Sequence, residues 1–439
     1  MRIRTVLAAA LLAGCAAPDS RPAAPPSPPP EGRADDLNGP VFRAVDEELG
    51  SLLELYKWFH ANPELSLREE KTSARFAAEV RAAGWTVTER LGGYGVAAVL
   101  RNGEGPAVLA RIDMDALPVR EETGLPYAST TGAMHACGHD THLAMGIGLA
   151  RVLARLKDRW RGTAILVGQP AEEIGQGAKR MLEDPRFHAA VPARPVACLS
   201  VHNSPAFPAG TVALCAGYAA AHADSVDITI FGRGGHGAWP HQTVDPVVIA
   251  AELVLALQTI VSRKLDPALE RGVVTVGALQ GGSKHNIIPD EVRLQLTLRS
   301  YQDATRLKLF EEVRHLAGKI AEAHRAPRPP DVRVAPVGFP AVYHDPALTE
   351  RLRRVFAGLL GKDRVHEASP AMGAEDFGRF STFYGVPGLQ FNVGAAPAAA
   401  GPGPRPGLHS SRWAPDPEPT LRTGTAAFAR AVLDLLERP

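Results

Sequence analysis

At 439 residues the chain is long enough for two domains with separate cores, and its 45% hydrophobic and 22% charged content is that of an ordinary globular protein. A net charge of +1 gives no electrostatic ground for a nucleic-acid partner, so any site for acidic ligands must be local.

In chain order, the first segment reads as a leader. Arg2 and Arg4 precede an apolar run from Val6 to Ala13, too short to span a bilayer but of secretory-signal length. The run ends Leu12-Ala13-Gly14-Cys15, which resembles the bacterial lipoprotein box, in which the cysteine becomes the lipidated first residue. Residues 1–15 are therefore expected to be a lipoprotein signal peptide with Cys15 as the lipidation site; the alternative is a plain signal with an incidental cysteine. Residues 16–40, rich in Pro, Ala and Asp, are expected to form an extended tether. The expected location is the bacterial cell envelope. No Asp follows Cys15, which by analogy favours the periplasmic side of the outer membrane.

Helical patterns run over 45–60 and 70–83. Short unalternating apolar runs at 107–112, 164–168, 197–201 and 388–393 read as strands buried on both faces. Helical segments at 142–156 and 348–360 lie between them, and a last helix covers 420–436. This alternation predicts an α/β domain whose sheet is covered by helices. The middle differs: 225–231 alternates, 246–261 is helical, 273–279 and 292–298 read as strands, 304–323 is an amphipathic helix and 332–337 a final strand. That β-α-β-β-α-β order predicts an inserted two-layer α+β unit over 219–337. The catalytic α/β domain is then discontinuous, built from 41–218 and 338–439.

The chemistry concentrates in Met134-His135-Ala136-Cys137-Gly138-His139-Asp140-Thr141-His142. Cys137 and His139 flank one glycine, and mixed sulfur, nitrogen and oxygen donors suit divalent transition metals. Three buried runs end in polar groups: Asp113-Met114-Asp115 after Ile112, Gln169-Pro170-Ala171-Glu172-Glu173 after Gly168, and His202-Asn203 after Val201. Ligands of open α/β sheets bind at the carboxyl ends of strands. Adjacent Glu172 and Glu173 would point in opposite directions, one toward a metal and one toward substrate. Cys198 and Cys215 sit in apolar runs and read as core residues. His409 follows a Gly/Pro-rich loop, 401–407.

These motifs resemble the two-metal aminoacylase and carboxypeptidase family, in its hippurate hydrolase and auxin-conjugate hydrolase branch. The match starts near Leu55, at His60-Ala61-Asn62-Pro63-Glu64-Leu65-Ser66 and Asp113-Met114-Asp115-Ala116-Leu117-Pro118, and includes the Cys137 cluster and Gln169 to Glu173. It continues through Gly232-Arg233-Gly234-Gly235-His236-Gly237-Ala238 with Pro240-His241, Asn286-Ile287-Ile288-Pro289 and Gly373-Ala374-Glu375-Asp376-Phe377.

The resemblance implies that Cys137, His139, Glu173, His202 and His409 bind two divalent metal ions per subunit, zinc or manganese first, with cobalt and nickel as further fits. His139 would stand where relatives with other ligand sets carry a bridging carboxylate. It further implies Glu172 as general base and acid, with Asp115 as an orienting group; Asp113 either does the same or ends its strand. The inserted unit would be a lid and a homodimer contact. Its His236 would reach the neighbouring subunit's site to hold an oxyanion, while Asn286 and Arg299 bind the substrate carboxylate. Glu375-Asp376 would either support the active site from behind or start a helix with acidic residues in its first turn, and the helix start is favoured. Ile112 departs from the small residue common before the first aspartate and is expected to narrow the site. The implied reaction is hydrolysis of N-acyl amino acids, on a lipid-anchored enzyme without nucleic-acid partners. Two alternatives stand: a dipeptidase or carboxypeptidase with the same metals, and an anchored binding protein without catalysis.

Overall fold

The computed structural model describes residues 37–336, 338–397 and 406–437. Cys15, the leader, nearly all of the tether and most of the loop before His409 lie outside these described residues.

The tether reading of 16–40 extends too far. Helix α1 spans Asn38–Ala61, so 38–40 are helical. Pro40 is no obstacle there, because amides of the first turn have no intrahelical acceptor. The apolar stripe Val41, Val45, Leu52, Leu55 and Phe59 is fully buried or nearly so. It docks α1 against α3 (His139–Arg155) and α10 (Pro417–Leu436).

The large sheet is built from β1 (Thr86–Leu91), β2 (Gly95–Asn102), β3 (Ala107–Asp113), β4 (Gly162–Gln169), β5 (Ala197–Pro208) and β6 (Val212–Leu214), joined late in the chain by two more strands. Before those come β7 (Gly217–Ala220), β8 (His222–Phe231), β9 (Gly235–His236), β10 (Gly272–Gly281), β11 (Ile287–Ile288), β12 (Glu291–Ser300), β13 (Asp331–Val334) and β14 (Val342–His344). The late pair is β15 (Val365–Glu367) and β16 (Gly388–Ala396), and the order across the sheet is β1-β2-β4-β3-β5-β16-β6-β15. Its centre, β4-β3-β5-β16, is parallel, so the carboxyl ends of four strands share one edge. β1, β2 and the β6–β16 pairing run antiparallel, which makes the sheet mixed.

Helices α1, α2 (Glu70–Ala82), α3, α8 (Pro346–Leu360) and α10 enclose the main core on one face. The short helices α4 (Gly177–Glu183), α5 (Pro185–Ala190) and α9 (Gly378–Tyr384) cover the other through Met181, Phe187, Phe377 and Phe380. α3 is buried nearly all round, as befits a helix between a sheet and two other helices. Ile112 belongs to this layer and not to the site. Its side chain packs toward Gly146 of α3, where an added Cβ would lie 3.1 Å from Ile112 Cγ1, so the expected narrowing does not occur.

The inserted unit is a four-stranded antiparallel sheet in the order β10-β12-β8-β13, covered on one face by α6 (Pro246–Thr259) and α7 (Asp303–Ala323). Alternation along β8 and β12 sends Val226, Ile228, Ile230, Val292, Leu294, Leu296 and Leu298 inward to the helices. The ribbon β9–β11, pairing His236 with Ile287, projects from this unit. The β7–β14 pair joins the two chain crossings back to the large sheet.

Candidate active site

The site assembles where β3, β4 and β5 end and α3 begins. Gly138 is the N-cap of α3 at φ 79°, a left-handed conformation that turns the chain between Cys137 and His139. A Cβ there would collide with the Asn203 side chain, which lies against the turn. Asn203 Nδ2 donates to the carbonyls of Cys137 (3.1 Å) and Gly138 (3.0 Å), tying the end of β5 to the start of α3.

Cys137, His139 and His202 each bring one donor atom within 4.8 Å of the others, and Cys137, Glu173 and His409 form a second such group. Cys137 is common to both, and His139 also groups with Glu172 and Glu173, so both residues stand between the two sets of donors.

The imidazoles are held in one tautomer. His139 Nδ1 donates to the Asp115 carbonyl at 2.8 Å, and His202 Nδ1 donates to the Asn203 carbonyl at 2.7 Å. Each leaves its Nε2 lone pair for the site, as imidazoles that ligate metals do. His202 Nε2 is 3.6 Å from Cys137 Sγ. His409 sits at φ 67° with its amide bonded to the Ala136 carbonyl (2.8 Å), and its Nε2 is 3.6 Å from Glu173 Oε2.

Two atoms test whether this donor set fits a cation. His139 Nε2 and Glu173 Oε1 are buried without a hydrogen-bond partner and lie 3.9 Å apart. Leaving two such groups unanswered is costly, and a divalent cation between them would satisfy both. Burial pushes the Cys137 thiol well above its ordinary range and lifts the Glu173 carboxyl to about 7. A bound cation would displace those protons. The donors fit a pair of divalent metals.

His142 and Asp113 lie within reach of His139 but are already engaged. His142 Nδ1 donates to Asp113 Oδ1 (2.5 Å), and its Nε2 accepts from the Asn203 amide (2.9 Å). The other Asp113 oxygen accepts from Arg111 (2.7 Å). Asp113 thus does more than end its strand: it orients His142, which in turn fixes Asn203.

Asp115 ties the end of β3 to the turn after β4. Its two oxygens accept the consecutive amides of Glu172 and Glu173, both at 3.1 Å, and Oδ2 also accepts from Ser66 Oγ at 2.6 Å. Glu173 groups with Cys137 and His409, both glutamates group with His139, and Glu172 also reaches a second carboxylate group, Glu375 and Asp376. Burial, then Glu375 and Glu173, push the Glu172 carboxyl well above the usual range.

Glu375-Asp376 is not a helix start. α9 begins at Gly378, and both carboxylates point into the protein around Arg111, which is fully buried. Arg111 donates to Gln169 Oε1 (2.9 Å), Asp113 Oδ2 (2.7 Å), Glu375 Oε1 (2.9 Å) and Asp376 Oδ1 (3.2 Å). One guanidinium therefore balances the carboxylates beneath Glu172. Arg111 and Glu69 are not singled out in the sequence, where Gln169 and Asn203 stand only as polar residues at strand ends. The signal available was a charged residue inside an otherwise apolar strand, Leu109-Ala110-Arg111-Ile112.

The inserted unit does not join this cluster. His236 and Asn286 are both exposed on the β9–β11 ribbon, where the Gly237 amide donates to the Asn286 carbonyl (2.9 Å) and the His236 ring lies 4.7 Å from that of Trp239. Arg299 is partly buried on β12, with Asp224 as its nearby charge. Among the described residues no hydrogen bond or ion pair links these three to the Cys137 cluster.

Residues 109–434 match the model of peptidase family M20/M25/M40. An IAA-amino acid hydrolase of Arabidopsis thaliana (ILR1-like 2) is 36% identical over 344 residues, 77% of this chain and 76% of its own length. An N-acetyl-L-cysteine deacetylase of Bacillus subtilis is 36% identical over 328 residues, 74% of this chain and 76% of its own. Among solved structures, a dinuclear metal-binding peptidase of the M20 family from Bacillus subtilis aligns with a TM-score of 0.75 at 28% identity, covering 89% of this chain and 99% of that one. With the family model spanning most of the chain and relatives above one-third identity, this protein belongs to peptidase family M20/M25/M40 and is a metal-dependent amide hydrolase.

Proposed function

We propose that the enzyme hydrolyses N-acyl amino acids to a carboxylic acid and a free amino acid. The observation that carries this is the pair of donor groups sharing Cys137 with the Glu172 carboxylate beside them. Cys137, His139, His202, Glu173 and His409 would hold two divalent metals; their mixed donors suit zinc or manganese, with cobalt and nickel also accommodated. When bound, such metals polarise the amide carbonyl and acidify water.

Glu172 then takes the proton of the attacking water on a carboxylate oxygen and returns it to the leaving amine nitrogen. Asp115 aims it by holding its amide. His236 from a second copy donates to the oxyanion, and Asn286 and Arg299 receive the substrate carboxylate, Arg299 by a two-pronged contact. The exposure of the ribbon supports a site completed between copies. So do the uncovered apolar residues of α6, Val247, Val248 and Leu255, together with Leu279 on the edge strand β10. The leader and Cys15 support export and anchoring of this homodimer at the cell envelope, a reading that rests on sequence alone.

The test is amino-acid release from N-acetyl, N-benzoyl and long-chain N-acyl amino acids and from dipeptides, with Glu172→Ala as control. Release from acyl amino acids is expected. Release from dipeptides alone would make the enzyme a peptidase, and silence from the metal-loaded dimer would leave a binding protein.

A further inference from the structure

Glu69 is a fully buried carboxylate that the reaction above does not use. It stands at the N-cap of α2, yet its side chain caps nothing there. Its Oε1 instead accepts two amides from different parts of the chain, Leu67 (3.0 Å) and Ala171 (2.8 Å), the latter 102 residues away. Both donor residues adopt left-handed backbone, Leu67 at φ 65° and Ala171 at φ 51°. For residues with a Cβ that conformation is strained and persists only where surrounding bonds hold it. The other oxygen, Oε2, is buried without a hydrogen-bond partner, a cost that packing alone would not retain.

Ala171 opens the turn that carries Glu172 and Glu173. Its amide goes to Glu69 and the next two go to Asp115, so three successive amides are gripped by two buried carboxylates. The same loop supplies Ser66 to Asp115, and its Glu64 carbonyl accepts the Ala116 amide at 2.8 Å. Residues 64–69 therefore form a brace between the end of β3 and the turn after β4.

The geometry points to Glu69 as a positioning residue that holds Ala171 in its left-handed conformation and so aims both Glu172 and Glu173 into the site beside His139. This rests on reading Glu172 as the proton carrier and Glu173 as a metal ligand. The essential property is the hydrogen-bond acceptor on a side chain of glutamate length.

The test compares Glu69→Ala, Glu69→Gln, Glu69→Asp and Glu69→Ala/Ala171→Gly in the full chain. Two readouts are taken: kcat and KM on the best acyl amino acid, and zinc affinity of the apoprotein by equilibrium dialysis. Glu69→Ala is expected to lower kcat and zinc affinity each about 10–100-fold, with KM within about twofold, as for residues that orient metal ligands. Glu69→Gln, whose carbonyl accepts the same bonds, stays within about threefold of the parent, while Glu69→Asp, one methylene short, loses in the same direction as alanine. Adding Ala171→Gly recovers about tenfold in kcat, because glycine adopts the turn without a brace. A Glu69→Ala protein with full kcat and zinc affinity overturns the proposal, as does a Glu69→Gln protein as impaired as alanine, or no recovery with glycine. Should Glu69→Ala not fold, Glu69→Asp against Glu69→Gln decides. Should the parent hydrolyse nothing in the panel, the functional reading falls while the zinc affinities still judge the brace.

Discussion

Around the ends of β3, β4 and β5, nearly every polar side chain is buried and has a partner within the same chain. On the β9–β11 ribbon, His236 and Asn286 stand in solvent, and among the described residues neither has a hydrogen bond or ion pair to that cluster. The first region spends its charges on one another, as when Arg111 holds Asp113, Glu375 and Asp376 together. The second keeps its donors unspent. A preorganised centre needs its groups fixed before substrate arrives, whereas groups meant for a second surface must stay uncommitted until that surface closes.

The sharpest way to break this contrast is Glu172→Ala. Turnover should fall about 10²–10⁴-fold, while zinc content stays at the parent value. Full activity would remove Glu172 from the reaction. Next is Arg111→Met, which leaves buried carboxylates without their cation and should cost about 3–5 kcal/mol of stability in urea unfolding. An unchanged midpoint would mean the carboxylates take up protons instead.

On the ribbon, His236→Ala should lower kcat about 10²–10³-fold without moving the melting temperature. Mixed with Glu172→Ala under subunit exchange, it should regain activity, since one site of a mixed dimer is intact; no regain would place the whole site within one chain. Arg299→Met should chiefly raise KM and leave stability within about 0.5 kcal/mol, the opposite signature to Arg111.

The last prediction is read from pH dependence and concerns His60. Burial opposes its charge, but Asp140 (2.7 Å) and Glu121 (2.9 Å) outweigh it and raise the pKa to about 10. A pKa raised in the fold gives stability that is full below the unfolded value near 6.5, declines as pH rises, and is lost through about 10. The melting temperature of His60→Gln relative to the parent should therefore converge with it above pH 10. A constant gap would show that the ion pairs are not the source.

Much of the fold was legible because its strongest signals are local. The run at 107–112 reads as a strand covered on both faces, as β3 is, the short run at 388–393 matches β16, and the 304–323 periodicity matches α7. β1 and β2 were missed for physical reasons. Thr86–Leu91 is a largely polar edge strand, and Gly95-Val96-Ala97-Ala98-Val99-Leu100 is small and apolar enough to suit either a helix or a strand.

Residue types and spacing by themselves marked Cys137-Gly138-His139 and Glu172-Glu173 as chemistry at element ends, and the resemblance to a family added His202 and His409 as ligands. The tertiary structure decided what each acidic group is for. Arg111 and Glu375 are 264 residues apart, and Glu69 meets Ala171 across 102; such pairs leave no periodicity to read. Only the packing of four parallel strand ends into one edge brings them together. Only the low-dielectric interior behind that edge makes their mutual hydrogen bonds obligatory.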